Sequence, residues 1–451
     1  MSNSSRFLQS ETQLRECAQL ALAHARTLGA SGCECDVSEA YGLSVSVRQG
    51  AVETLEHNRD KGLGVTVYMG DQPRVKRGHA STSDFSAQAI RETVAAAVEI
   101  ARHTAEDDCA GLPDAELLAK HTPDLDLFHP WAVTPEAAIE IAQRCESAGL
   151  AVSKKIKNSE GASVSAQHSQ FVLANSLGFL SGYATSRHSL SCALIAEDQG
   201  LMQRDDWYSS ARVASALADP TRLGRYAAER ALSRLGARKI KTCQAPVLFE
   251  APLAGGLIGH FISAISGGNL YRKSSFLVDS LGKQIFSPNV FLDEQPWLAQ
   301  GLASAPFDEE GVATRERAIV SAGVVQDYFL GSYSARKLGL RSTGSAGGNH
   351  NLILRPGTRD LPALLRQMHR GLFVTELLGH GINLLTGDYS RGAAGYWVEN
   401  GEIAYPVEEI TIAGHLGQMF QGIVEVGADT LVRGSRSTGS ILIDSMTIAG
   451  N

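Results

Sequence analysis

Two imidazoles and two carboxylates fall close together at His121, Asp124, Asp126 and His129, donor types that bind zinc or a harder cation. Their spacing matches no known ligand pattern. Pro123 bounds the segment, and Leu125, Leu127 and Phe128 would anchor it to the body of the protein, so an anchored loop is the simpler reading. Cys33 and Cys35 share a face if their segment is a strand, which invites a thiol pair. Buried free cysteines, however, behave as small hydrophobes, and core packing explains them. Glu399 and Glu402 flank Asn400-Gly401, and a solvated turn does nothing to separate their pKa values into an acid and a base. His260 lies among Leu257, Ile258, Phe261 and Ile262, the setting of a hydrogen-bonded helix residue or of one that lines a cavity. His350, His380 and His415 occupy glycine-flanked positions and converge only if the fold brings their loops together. In residues 387–392, Arg391 and a glycine-opened backbone are suited to a peptide's carboxylate or main chain, with Asp388 and Ser390 alongside. A turn bridged by Asp388 and Arg391 accounts for the same residues equally well.

Other chemistries fail on their motifs. Gly282-Lys283 is followed by Gln284 instead of the Ser or Thr of a P-loop, and no GxGxxG follows a strand. The serines at 342–345 and 435–440 do not form the GxSxG elbow of a serine hydrolase. The 451 residues carry a formal charge of -7, which gives no electrostatic footprint for nucleic acid. Seven cysteines without CxxC spacing point to a reducing, cytoplasmic setting. The opening MSNSSRFLQSETQLREC has no apolar export region, and no uninterrupted apolar run approaches the ~20 residues of a membrane span.

The elements that must position these residues are legible in part. Ser10 and Gln13 make a capping box ahead of a helix that Gly29 closes. Alternation over Leu43, Val45 and Val47, a turn at Gln49-Gly50 and a second run over 52–56 predict a hairpin, with Leu63, Val65 and Val67 as a further strand. Helices are expected after Ser83-Asp84, at Thr134-Pro135 and at Asp219-Pro220, the last ending near Gly236. Arg238-Lys239-Ile240-Lys241 reads as a linker, placing a boundary between Leu235 and Pro246. Beyond it, glycine-rich turns and short strands predict antiparallel sheet. Asn400-Gly401 suits a two-residue type I′ hairpin in which Val398 faces Ile403 and Tyr396 faces Tyr405. The expected class is α+β. Residues 1–238 would form a mixed α/β domain with hairpins and amphipathic helices, and residues 239–451 a domain dominated by antiparallel β-sheet.

Four segments, YRKSSFLVDSLGK (271–283), SYSARKLGL (332–340), GDYSRGAAGYWVENGEI (387–403) and DLDLFHP (124–130), resemble the PmbA (TldE) side of the PmbA/TldD peptidase family, and the likeness covers essentially the whole chain. It implies a subunit of a heterodimer that cleaves unstructured peptides. The family's catalytic partner carries His-Glu-x-x-x-His on a helix and a distal cysteine, which together hold zinc while the glutamate acts as base. Anchored on Arg272-Lys273, that motif falls on residues 259–264. Gly259 and Ala264 stand at the histidine positions and His260 at the glutamate position, while the distal stretch 433–440 has no cysteine. The resemblance thus implies no catalytic or metal-binding residue in this chain, with zinc in a TldD-like partner. An independent hydrolase using the 121–129 loop and a homodimeric peptide binder are the alternatives.

Overall fold

The computed structural model describes residues 7–71 and 73–450. Four long strands dominate the first half: β1 (Gly32–Arg48), β2 (Ala51–Met69), β5 (Ile156–Asn175) and β6 (Leu180–Asp198). With β3 (Val75–Thr82), β4 (Glu106–Asp107) and β7 (Leu201–Ala211) they form one sheet in the order β4-β3-β2-β1-β5-β6-β7, and every neighbouring pair is antiparallel. The β1–β2 turn is Gln49-Gly50, both at positive φ (52° and 76°), as a type I′ hairpin requires. Residues 52–56 and 63–67 belong to the single strand β2. The polar stretch between them, residues 57–62, pairs with β1 from Leu43 to Ser38.

Two helix pairs cover this sheet through alternating buried positions. α1 (Glu11–Thr27) and α2 (Ala87–His103) pack over Cys33, Cys35, Val65 and Val67. α3 (Pro135–Leu150) and α4 (Pro220–Ser233) pack over Val45, Val164, Leu190 and Leu194. The caps read from the sequence are present: the Ser10–Gln13 box on α1, Thr134 on α3 and Asp219 on α4. α2 begins later than expected, with Ser86 as its cap, because the Asp84 carboxylate accepts the Ser86 N–H instead of starting the helix. α3 and α4 approach so closely that a Cβ on Gly224 would stand 1.9 Å from the Cys145 carbonyl oxygen.

The second half begins with β8 (Cys243–Phe249) and α5 (Ala251–Ala264) and contains two further sheets, of six and seven strands. Their pairings are antiparallel except that β8 runs parallel to Gly371–Leu378, and Leu352–Leu354 parallel to Arg436–Thr438. α5 is apolar on most of its circumference and lies in the largest core, against Phe286 and Phe420. The Asn400-Gly401 hairpin forms as expected and pairs Val398 with Ile403. Tyr396, however, pairs with Pro406, and Trp397 with Tyr405. Ala404 is the extra residue of a bulge, and proline, which has no N–H for the ladder, sits beside it.

Candidate functional site

α5 is fixed at its start by charge. Glu250 precedes it, and both its oxygens accept from Arg230 of α4 at 2.7 and 3.1 Å. Arg230 also donates to Asp205 of β7 at 3.0 Å. The two halves of the chain are thereby coupled at the start of α5.

Along α5 one narrow stripe faces solvent: Gly256 and Ser263 are exposed and His260 between them is half-buried. A Cβ on Gly256 would meet nothing within 4 Å. On the adjoining buried face the Arg436 side chain runs over Gly255 and Gly259. Its guanidinium atoms lie 2.9–3.1 Å from where a Cβ on Gly259 would be. Gly259 and the segment that carries Arg436 therefore meet in space, and a guanidinium on bare backbone is what meets there. Ala264, where the resemblance leads one to expect the second histidine position, is fully buried in the core, and its carbonyl accepts from Ser275 Oγ at 2.6 Å.

His260 stands between Tyr389, with ring centroids 6.1 Å apart, and the cations of Arg391 and Arg436. Burial first, then those two charges, push its pKa down to about 4, so the imidazole is neutral at ordinary pH. Burial pushes the Tyr389 hydroxyl up to about 12 and lowers the pKa of Arg436. A zinc ion needs several deprotonated donors. One neutral imidazole beside two guanidiniums, with no donor at 259 or 264, does not fit it.

Of the proposed peptide contacts, Asp388 and Ser390 are exposed and Arg391 points to the other side of its strand, toward His260. Asp388 does not bridge to Arg391: residues 388–392 are strand, and the Asp388 carboxylate accepts from Thr386 Oγ1 at 2.6 Å. In the 121–129 loop, Leu125 and Leu127 are buried, and His129 pairs with Asp126 at 3.0 Å. His350 is buried against Glu294 at 3.1 Å, His415 bonds the Thr386 carbonyl at 2.8 Å, and His380 is exposed. Cys33 and Cys35 are core residues. Glu399 and Glu402 are exposed and face each other across the hairpin turn.

Sequence reading missed two features. Among the described residues, Asp107, Asp108 and Cys109 bring three metal-type donors within 4.8 Å of one another, but the Lys337 ammonium already pairs with both aspartates at 3.1 and 3.6 Å. The larger feature is a cleft of about 930 Å³ that begins at Ser266, just after α5, and is lined by aromatic rings such as Phe171 and Tyr271 and by Glu34, Asp36 and Glu310. Its residues come from both halves of the chain, so no local pattern announces it.

Family profiles described as PmbA/TldA metallopeptidase domain 1, central domain and C-terminal domain match residues 33–101, 128–235 and 242–450. The chain is 51% identical over 419 residues to the metalloprotease PmbA of Escherichia coli O157:H7, spanning 93% of this chain and 92% of that protein. It is 46% identical over 451 residues to the metalloprotease PmbA homolog of Haemophilus influenzae, spanning 100% and 99%. A crystal structure from Bacteroides thetaiotaomicron, of a proposed modulator of DNA gyrase, superposes with a TM-score of 0.92 at 26% identity, covering 99% of this chain and 100% of that one. TldE from Thermococcus kodakarensis superposes at 0.84 with 18% identity, covering 96% and 100%, a likeness of fold. The chain belongs to the PmbA/TldD family of metallopeptidases.

Proposed function

We propose that this chain is the non-catalytic, PmbA-like subunit of a zinc metallopeptidase heterodimer that cleaves unstructured peptides, the zinc being held by a TldD-like partner. The observation that carries this reading is the Arg436 guanidinium lying on Gly259. Guanidinium does not lose its proton in proteins, so a divalent cation there would meet a fixed like charge and no ligand set. A second kind of chain is available to supply the metal. Haemophilus influenzae has, besides the PmbA homolog, a metalloprotease TldD homolog that is 20% identical to this chain over 400 residues. The aromatic and acidic cleft after α5 has the volume to take a peptide segment. Seven free cysteines suit a reducing cytoplasm, and among the described residues no helix is long and apolar enough to cross a membrane.

The test is zinc content by atomic spectroscopy together with peptidase activity on an unstructured peptide, for the purified chain alone and mixed with the motif-bearing partner. Stoichiometric zinc and turnover are expected only in the mixture. Zinc and turnover in the lone chain would overturn the reading.

A further inference from the structure

Buried guanidiniums in this chain are as a rule satisfied. Arg230 holds Glu250 and Asp205, Arg317 holds Glu294 and Asp327, and Arg212 donates to the carbonyls of Ser186, Gly301 and Leu302. Arg436, Arg391 and Arg433 depart from that rule, and the first two do so beside His260. Nε of each is buried without a hydrogen-bond partner. Among the described residues Arg436 makes no ion pair, and burial lowers its pKa. Arg391 makes a long bond, from Nη2 to the Leu377 carbonyl at 3.4 Å, and a side-chain hydrogen bond with the Tyr389 hydroxyl. Two partly buried cations without a carboxylate partner beside an imidazole, each with an unpartnered buried Nε, call for a partner. An anion supplies what both lack. The approach is open along the Gly256–His260–Ser263 stripe, where Gly256 leaves bare backbone and empty space.

We propose that Arg436, Arg391 and His260 form a carboxylate-binding site, and that its ligand is the free C-terminal carboxylate of a peptide lying over the open stripe of α5. The planar forks of two arginines match the two oxygens of a carboxylate, and a neutral imidazole adds an N–H donor. The position that holds a metal in the catalytic chain thus holds a peptide end in this one. This deepens the reading of a non-catalytic subunit, yet it is tested on the isolated chain without zinc or turnover, so the two can fail separately.

The experiment is calorimetric titration of the full chain with N-acetyl-trialanine as the free acid and as its C-terminal amide, with inorganic phosphate as a third probe. The acid should bind about ten-fold or more tightly than the amide and weaken with added salt. Arg436→Met should abolish that preference, and Arg391→Gln should reduce it. Thermal unfolding checks the fold: in the free chain Arg436→Met should be as stable as wild type or more so, and the acid should raise the midpoint of wild type alone. Equal binding of acid and amide overturns the proposal, and so does phosphate binding tighter than the acid. A free Arg436→Met chain that loses several degrees, with no midpoint shift of wild type by the acid, makes the guanidinium structural and also overturns it. Silence of all three probes, with Arg436→Met weakening association with the motif-bearing partner, assigns the carboxylate to that partner instead and likewise overturns it.

Discussion

Replacing Arg230 with methionine leaves Glu250, at the start of α5, buried without its cation and takes from Asp205 on β7 one of its two arginines. Side-chain exposure is 13% for Arg230, 11% for Glu250 and 10% for Asp205, so water does little to compensate the loss. Three hydrogen bonds, at 2.7, 3.1 and 3.0 Å, disappear together. Charge-assisted bonds are worth roughly 1.5–3 kcal/mol each when removed singly, but they are not additive here, because Asp205 keeps Arg234 at 3.6 Å. Breaking a buried pair costs about 3–5 kcal/mol, and about 4 kcal/mol is the expected figure, equivalent to roughly 8–16 °C in Tm for a cooperative unit of about 200 residues. The pH dependence has a definite sign. Burial already raises the Glu250 carboxyl pKa while Arg230 opposes the rise, so removing Arg230 raises it further. A carboxyl whose pKa is raised in the folded state favours folding when protonated and loses that contribution as pH rises. The deficit of the variant should therefore be larger at about pH 8 than at about pH 5. Because the pair is buried, high salt should not erase the difference. Trp207 lies under the Arg230 guanidinium, 5.1 Å from ring centroid to charge, so its fluorescence reports the transition directly. A midpoint shift below about 2 °C at about pH 8, or a deficit that does not shrink toward acid pH, would refute this account of how α5 is anchored.

Four further outcomes are expected. Glu146, 1% exposed, accepts the Gln49 and Gly50 N–H groups at 2.8 Å each; Glu146→Ala should cost about 2–4 kcal/mol and expose those amides to hydrogen exchange, and unchanged protection there would contradict the assignment. Gly224→Ala must force α3 from α4 and should destabilise by about 2–3 kcal/mol in urea unfolding, a midpoint equal to wild type being the disproof. His260, held near pKa 4 in the folded chain by burial and two cations, takes up its proton more readily when unfolded. Stability should thus fall as pH drops from about 6.5 toward 4, and His260→Gln should flatten that slope in urea midpoints measured against pH; parallel slopes would rule the effect out. Burial pushes the Cys33 thiol up to about 12 and Cys35 well above its ordinary value, so both should resist alkylation at about pH 8 until the chain is unfolded, and mass-spectrometric detection of rapid native labelling at either would be inconsistent with their burial.

Helix starts and hairpin turns were legible because their causes are local. A hydroxyl or carboxylate one residue before a helix caps its own amides, as Ser10, Thr134 and Asp219 do. Asn400-Gly401 adopts positive φ without help from distant residues. Reading failed where a partner strand decides. The polar residues in the middle of β2 are strand only because β1 pairs with them, and the Tyr396 register moved because a bulge beside Pro406 absorbed Ala404. The cleft after α5 was invisible, since its walls come from segments far apart in the chain.

The sequence by itself determined the α+β class and the family likeness, because composition, local propensity and residue identity survive without coordinates. Only the tertiary structure decided what lies over Gly259. Arg436 comes from a short strand near the end of the chain and Arg391 from the longer strand Asp388–Glu399, and each is placed by sheet pairings. Whether an arginine finds a carboxylate or lies on bare backbone, as Arg436 does on Gly259, is a property of three-dimensional packing.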